Sequence, residues 1–371
     1  MPFEYEVKFD CRYYRGEKPC RFKRECKGCP HYEPMGTRFL IIKLAAAGDV
    51  LRTTPLLHAI KRKHERSWVV WVTDAFSVPL LENNPYIDRL LPYGHDATVE
   101  LMGQKFDVLM CLDKEPRAIG LANIVSAKEK LGFRMTEHGT LGIFNPEATY
   151  ALALGLSDPL KFYQNQKSYQ QIIFEAVGYE FRGERYILNL TDEAKAQAKA
   201  KLRALGVAPN EAVGVNTGAG KVFATKKWPE EHLTELVRLL RTEGIKVLLL
   251  GGPEEVERNK RIKAGFASDD GVVDAGTDNP LDVFCAIVSL CRLVVTVDTM
   301  ALHIAVALGV PVIALFGPTC HQEVDLYGRG EKLVGKAPCA PCYRASCDDP
   351  ICMKSITPRQ VLEAVKRWIS A

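Results

Sequence analysis

The chain has 371 residues, 47% of them hydrophobic and 25% charged, with a formal net charge of +4. That balance is of a globular protein and excludes disordered and fibrous classes. No apolar run nears the roughly 20 residues needed to span a bilayer, and the first ten residues do not read as a secretory signal. The expected compartment is the cytoplasm, the length suits two domains, and the small positive charge suits acidic small molecules or an anionic membrane face, with no nucleic acid.

Residues 1–36 read as an appendage, aromatic, basic and without helical or strand periodicity. They hold Cys11, Cys20, Cys26 and Cys29, four of the chain's twelve cysteines. The first regular element is a strand over Arg38–Leu44, leaving through an alanine-rich turn to Gly48-Asp49-Val50, where a helix begins with Asp49 as its cap. Ser67–Thr73 and Phe106–Cys111 are further strands, and Asp113 follows the second of these. Leu131-Gly132-Phe133-Arg134 closes another. Periodicity lapses between Gly178 and Asp192, which marks a hinge.

Beyond the hinge, Ala212–Asn216 opens a second nucleotide-type fold and exits into Thr217-Gly218-Ala219-Gly220. Lys226 precedes Trp228-Pro229 and a helix whose apolar stripe is Leu233, Leu236, Val237 and Leu240, one face at helical spacing. Ile245–Leu250 exits into Gly251-Gly252-Pro253-Glu254-Glu255. Leu293–Val297 is a strand buried on both faces, followed by Asp298-Thr299, a helix through His303, Gly309 as its C-terminal stop, the strand Pro311–Phe316 and Gly317-Pro318-Thr319. Four strand exits thus combine glycine, for close backbone approach, with a polar group. Strand ends and helix starts are where open parallel sheets bind phosphate-bearing ligands. A second cysteine group, Cys339, Cys342, Cys347 and Cys352, precedes a last helix with the stripe Val361, Leu362, Val365 and Trp368.

The segment D-T-x-x-x-H-x-A-x-A-L-G-x-P-x-x-x-L-F-G-P-T over 298–319 resembles the donor-site signature of the heptosyltransferase family, glycosyltransferase family 9. Lys43 with G-D-V-L-x-T-x-P-x-L from Gly48 resembles its N-terminal signature. The resemblance covers residues 38 to 371. It implies an α/β fold of GT-B type, two Rossmann-like domains facing a cleft, here with a Cys-rich N-terminal extension. The implied parts are an extension over 1–36, an acceptor-side domain over 37–180, a donor domain over 181–356, and a C-terminal segment 357–371 whose helix returns to the first domain. It implies donor contacts from Thr217, Gly218, Lys226, Glu255, Asp298, Thr299, Met300, Ala301 and His303, acceptor contacts from Lys43, Asp113 and Arg134, and Asp49 as general base. Two departures stand out. Ala45, Ala46 and Ala47 replace serines common in the family, and Met300 replaces a glycine.

The activity so implied is inverting transfer of a heptose from an ADP-linked donor to a hydroxyl of a lipopolysaccharide core or other surface glycan, with peripheral contact at the inner membrane. The chain contains no D-x-D carboxylate pair to hold a catalytic metal, so no catalytic cofactor is expected and Lys226 with helix amides must meet the leaving diphosphate. A catalytically silent nucleotide-sugar- or metal-binding protein and a protein O-heptosyltransferase are the alternatives. A dehydrogenase is not, since no G-x-G-x-x-G follows either first strand. Each cysteine quartet has one C-x2-C knuckle, which suits structural zinc, with iron or disulfides as alternatives. Both quartets are expected beside the first domain.

Overall fold

A computed structural model describes residues 5–16, 20–220 and 223–369. Residues 1–4 and 17–19 of the expected extension and 370–371 of the expected C-terminal segment lie outside that set. Among the described residues no helix is long and apolar enough to cross a membrane.

Two six-stranded sheets organise the chain. The first contains β1 (Thr37–Ile42), β2 (Ser67–Thr73), β3 (Arg89–Pro92), β4 (Lys105–Cys111), β5 (Ser126–Met135) and β6 (Leu141–Ile143), in the order β3-β2-β1-β4-β5-β6. All neighbours are parallel except β5 and β6, which form a hairpin. Strand β1 lies between β2 and β4, with Phe39 opposite both Val69 and Val108. The second sheet contains β7 (Val213–Asn216), β8 (Val247–Leu250), β9 (Val272–Asp274), β10 (Leu293–Val297), β11 (Val312–Phe316) and β12 (Gly330–Val334), all parallel, in the order β12-β11-β10-β7-β8-β9. Burial on both faces explains why the central strands are unbroken Val, Ile and Leu runs without alternation.

Each order contains one reversal. Chain growth runs outward from β1 to β3 and then restarts at β4 on β1's other side. It does the same from β7 to β9 and then β10. Those reversals create crevices at the strand carboxyl ends, the usual ligand positions of doubly wound sheets. The exits β1/β4 and β7/β10 flank them, and the sequence-derived site residues fall there.

The chain crosses between domains through residues 177–191, which contain no regular helix or strand. One hydrophobic cluster joins the two halves: Leu51 and Leu80 of the first are buried with Leu302 and Ile304 of the second. The helix Ala47–Thr53 lies against the helix Met300–Leu308 at this seam. Arg52 Nη2 donates to Glu323 O at 2.6 Å, and Tyr327 Oη donates to Glu184 O at 2.8 Å.

The last helix departs from expectation. Pro358–Ile369 does not return to the first domain. Its stripe Val361, Leu362, Ala364 and Val365 is buried with Leu233, Leu236, Val295 and Ile313 of the second. Lys366–Glu243 at 3.1 Å and Arg367–Glu331 at 2.8 Å fix its polar edge to the same domain. The helix Glu230–Thr242 offers a complementary apolar stripe within reach of a short connection, so the helix is covered there.

Candidate functional site

The second domain's exits are laced together from below. Asn216, the last residue of β7, donates through Nδ2 to Gly218 O at 3.1 Å, Thr296 Oγ1 at 3.1 Å and Thr299 Oγ1 at 3.4 Å, so it spans the β7/β10 reversal. Thr217 is buried, and its hydroxyl donates to Asn259 Oδ1 at 2.6 Å, holding the loop to the helix Val256–Ala264 that follows β8. A cavity beneath these exits is lined by Asn216, Thr217, Gly218, Trp228 and Thr296.

Glu255 lies against Gly218, where any Cβ would come within 2.2 Å of its carboxyl group. Only glycine allows that approach. Glu255 Oε2 accepts from the Gly252 N–H at 3.0 Å, whereas Oε1 is buried with no partner among the described residues. A buried carboxylate oxygen left unpaired costs free energy, so this atom is a ready acceptor for a ligand hydroxyl.

Lys226 reaches across to the β10 exit, donating to Asp298 Oδ2 at 2.9 Å and Asp298 O at 3.2 Å. Burial raises the Asp298 pKa, but the Lys226 charge and hydrogen bond together with the other cations around it outweigh burial, and the carboxyl sits below its ordinary value. Thr299 occupies the N-cap position of the Met300 helix without a side-chain cap bond. Its hydroxyl is 3.0 Å from Thr296 Oγ1. The Met300 and Ala301 amides belong to the set a helix start leaves without intrahelical acceptors. His303 is buried, with Nε2 3.9 Å from Asp298 Oδ1 and Nδ1 unpartnered. Burial, then the Arg52 charge, pushes its pKa down to about 3, so the imidazole is neutral.

Gly48 of the first domain meets that imidazole. A Cβ there would lie 2.7 Å from His303 Cδ2. The glycine before Asp49 is therefore an approach point between domains as well as part of a turn.

Asp49 is not the helix cap that the sequence suggested. The helix starts at Ala47, with Ala46 in the cap position and no side-chain cap bond, which places Asp49 in the first turn. Its carboxylate is 37% exposed and accepts from Arg52 Nη1 at 3.2 Å. Negative charge in a first turn is favoured by the helix dipole, yet with no capping bond one face of this carboxylate is open to a substrate. Arg52 is buried, stacks 4.2 Å over the Tyr169 ring and holds Asp49 and Glu323 O from opposite sides.

Lys43 and Asp113 satisfy one another. Lys43 is buried, donates to Ala45 O, and lies 3.4 Å from Asp113 Oδ2. Asp113 Oδ2 also accepts from the Leu44 and Ala45 N–H groups, each at 3.0 Å, and Oδ1 accepts from the Glu115 N–H at 3.2 Å. Burial opposes ionisation here, but the Lys43 charge and these amides hold the carboxyl below its ordinary value. The pair clamps the β1 exit to the β4 exit and so aims the Ala45–Asp49 turn. Arg134 is exposed, and its Nε donates to Ile143 O at 2.8 Å on the β5–β6 hairpin. The structure holds it there rather than in the Asp49 group.

The two cysteine quartets are on different domains, not side by side on the first. Cys352 is buried in the second domain's core and Cys342 N donates to Pro318 O at 3.0 Å, because the last helix and the loop before it follow the second sheet. Cys11, Cys20, Cys26 and Cys29 lie by the first domain. All eight are free thiols. Among the described residues no three His, Cys, Asp or Glu side chains converge as a single metal ion requires.

Sequence reasoning passed over Asn216, Arg52 and Arg258. Arg52 was legible as the i+3 partner of Asp49. Arg258 donates to Thr217 O at 2.6 Å, a backbone contact that no spacing announces. Asn216 was read as a strand terminus only.

With this geometry in view, a family model described as glycosyltransferase family 9 (heptosyltransferase) matches residues 98–351. Lipopolysaccharide heptosyltransferase 1 of Pseudomonas aeruginosa is 29% identical over 170 residues, 41% of this chain and 47% of that protein, so the match spans about half that relative's length. Lipopolysaccharide heptosyltransferase 2 of Escherichia coli is 22% identical over 368 residues, covering 88% of this chain and 97% of that one. Among solved structures, a glycosyl transferase family 9 protein from Veillonella parvula superposes with TM-score 0.71 at 19% identity, covering 90% and 97% of the two chains. An E. coli heptosyltransferase solved with ADP gives 0.63 at 20% identity, covering 89% and 99%. These last two likenesses establish the fold, two parallel-sheet domains of GT-B type.

Proposed function

Since the chain belongs to glycosyltransferase family 9, whose model covers more than half of it, we propose that it moves a heptose from an ADP-linked donor to a hydroxyl of a lipopolysaccharide core or similar surface glycan. The observation carrying this reading is the opposition, across one seam, of an uncapped Asp49 carboxylate and the Lys226–Asp298 exit. An E. coli relative has been solved with ADP-2-deoxy-2-fluoro heptose, which supports the donor class.

In this reading the diphosphate lies between Lys226 Nζ and the first-turn amides of the Met300 helix, where the helix dipole and an ammonium meet its charge. Asp298 keeps Lys226 aimed. Glu255 Oε1 accepts a ribose hydroxyl. Asp49 takes the proton of the acceptor hydroxyl as its oxygen bonds to the anomeric carbon and the bond from that carbon to the diphosphate oxygen breaks. Attack from the face opposite the leaving group inverts the anomeric centre. His303 stays neutral and holds the two domains in register. With leaving-group charge met by Lys226 and amides, the reaction is metal-independent. Lys43 and Asp113 act by placing the Asp49 turn, and Arg134 lies on the acceptor side. A cytoplasmic setting with peripheral contact at the inner membrane face suits a glycolipid acceptor and the net charge of +4. A silent nucleotide-sugar binder would have no use for Asp49 and Lys226 together.

Calorimetric titration with ADP, UDP and GDP tests the donor, with ADP expected to bind at least about tenfold tighter, the scale of one well-placed hydrogen-bond set. Equal affinities would remove the heptose assignment. Mass spectrometry of reactions with ADP-heptose and truncated core glycans tests transfer.

A further inference from the structure

The two domains hold separate parts of the transfer site. Asp49 is on the helix Ala47–Thr53 of the first, and Lys226 and Asp298 meet at exits of the second. A base on one body serves a donor on another only at a fixed separation, since a displacement of about 1 Å costs roughly a hundredfold in rate. Polar ties that cross the seam are where such a separation is set. One of them touches Asp49.

Arg52 follows Asp49 by three residues, a spacing that puts both on one face of a helix. Its Nη1 donates to Asp49 Oδ1 at 3.2 Å, and its Nη2 donates to Glu323 O of the second domain at 2.6 Å. Among the described residues no other side chain donates to the Asp49 carboxylate. The guanidinium lies 4.2 Å over the Tyr169 ring. Tyr169 Oη is 3.2 Å from Thr53 Oγ1, which in turn donates to Asp49 O at 2.7 Å. The arginine plane and the helix turn carrying Asp49 are braced together.

The far arm is fixed as well. Glu323 ends the turn His321–Glu323 beyond the β11 exit. Gln322 Nε2 donates to Lys161 O at 3.3 Å and Phe162 O at 3.4 Å, and Val324 is buried in the cluster that joins the domains. The Glu323 carbonyl is therefore held against the first domain. Packing alone does not account for the arginine. It is 7% exposed, and its Nε is buried with no partner among the described residues. An unmet buried donor costs stability that an apolar side chain of similar size would not.

We propose that Arg52 is a positioning residue for the transfer, its planar fork spanning Asp49 Oδ1 and Glu323 O so that the Asp49 carboxylate is aimed at the donor exits. The proposal rests on Asp49 acting as the base. A guanidinium presents its N–H groups in one rigid plane, so the second domain's carbonyl on one arm fixes the direction of the other. A lysine ammonium is a point donor on a flexible stem and cannot hold both acceptors in that plane. Donor binding does not need this tie, because Lys226, Glu255 and the Met300 helix start all belong to the second domain.

Steady-state kinetics of the full chain with ADP-heptose and a truncated core glycan test this. Arg52→Lys should lower kcat by about tenfold to a hundredfold, the range of a small misplacement, while donor KM and ADP affinity stay within about twofold. Asp49→Asn should be slow on its own, and adding Arg52→Lys to it should change kcat by less than about twofold, because residues that act as a unit are not additive. Parent-like turnover of Arg52→Lys, or two losses that multiply in the double variant, overturns the proposal and leaves Asp49 as base. A matching loss of ADP affinity would make Arg52 a structural residue and overturn it too. Parent-like turnover of Asp49→Asn alone removes the base reading and this proposal with it, so the two failures are told apart. If Arg52→Lys fails to fold, Gln322→Ala loosens the Glu323 carbonyl from outside the buried site. It should cost about threefold in kcat in the parent, the scale of one modest hydrogen bond, and nothing measurable in Asp49→Asn. No loss in the parent, or an equal loss in both, overturns the proposal.

Discussion

The β1/β4 exit of the first domain and the β7/β10 exit of the second have the same topology and opposite electrostatic design. At β1/β4 the buried charges close on themselves: Lys43 on Asp113, Asp113 on three backbone N–H groups. At the second domain's exits buried polar atoms are left over, namely Glu255 Oε1, His303 Nδ1 and Thr319 Oγ1. The first exit is a clamp that positions the Asp49 turn. The second leaves acceptors and a ring nitrogen unpaired. Two similar crevices can therefore be told apart by which buried atoms lack partners.

The largest effect should come from breaking the clamp. Asp113→Ala leaves Lys43 buried and unpaired and should destabilise the protein by about 3–5 kcal/mol, read from denaturant melts. Because the folded Asp113 pKa is depressed, its contribution is complete above the unfolded carboxylate pKa of about 4 and is lost as pH falls through the lower folded value. The parent should lose stability more steeply than the variant across that acid window.

Next in size is Asp49→Asn, which should lower turnover by roughly a hundredfold while ADP affinity is kept, as loss of a general base does. Turnover like the parent's would reduce Asp49 to an electrostatic partner of Arg52. Glu255→Gln sharpens the contrast with Asp113. It should leave stability nearly unchanged, since Oε1 has no partner among the described residues to lose, but weaken ADP by about tenfold, close to the lower end of the roughly 1.5–3 kcal/mol carried by a hydrogen bond to a charged group. A large loss of stability would mean that Glu255 belongs to the clamp class. The smallest effect concerns His303. Its pKa near 3 keeps it neutral throughout the working range, so His303→Asn should reduce turnover without moving the inflections of the pH–rate profile.

Most strands of both sheets and most exits were readable in the sequence because buried parallel strands leave unbroken apolar runs and their exits need glycine, whereas the edge strands β6 and β12, which are only half-buried, were not. Lys226, Asp298, Glu255 and Gly218 came singly from such runs plus motif, and their pairings only from the structure. Asp49's position in its helix was misread, since Ala47 is a good helix former and lets the helix start before Asp49. The partnership of Lys43 with Asp113 links positions 70 residues apart, and no periodicity encodes that. The last helix was misplaced because its stripe fits any apolar face. The stripe on Glu230–Thr242 decided which.

The loop carrying Cys342 and Cys347 reaches across the seam. Tyr343 lies parallel to Phe162 of the first domain at 5.6 Å, under Lys161 at 3.9 Å, while its own amide is tied to Pro318 O at 2.9 Å. An aromatic pair is worth about 0.5–1.5 kcal/mol, which corresponds to an opening constant lowered only about two- to thirteenfold at room temperature. The stack adds that modest increment to a seam already joined by the cluster of Leu51 with Leu302 and by the Arg52 and Tyr327 hydrogen bonds, so removing the Tyr343 ring should loosen the seam by that factor and no more.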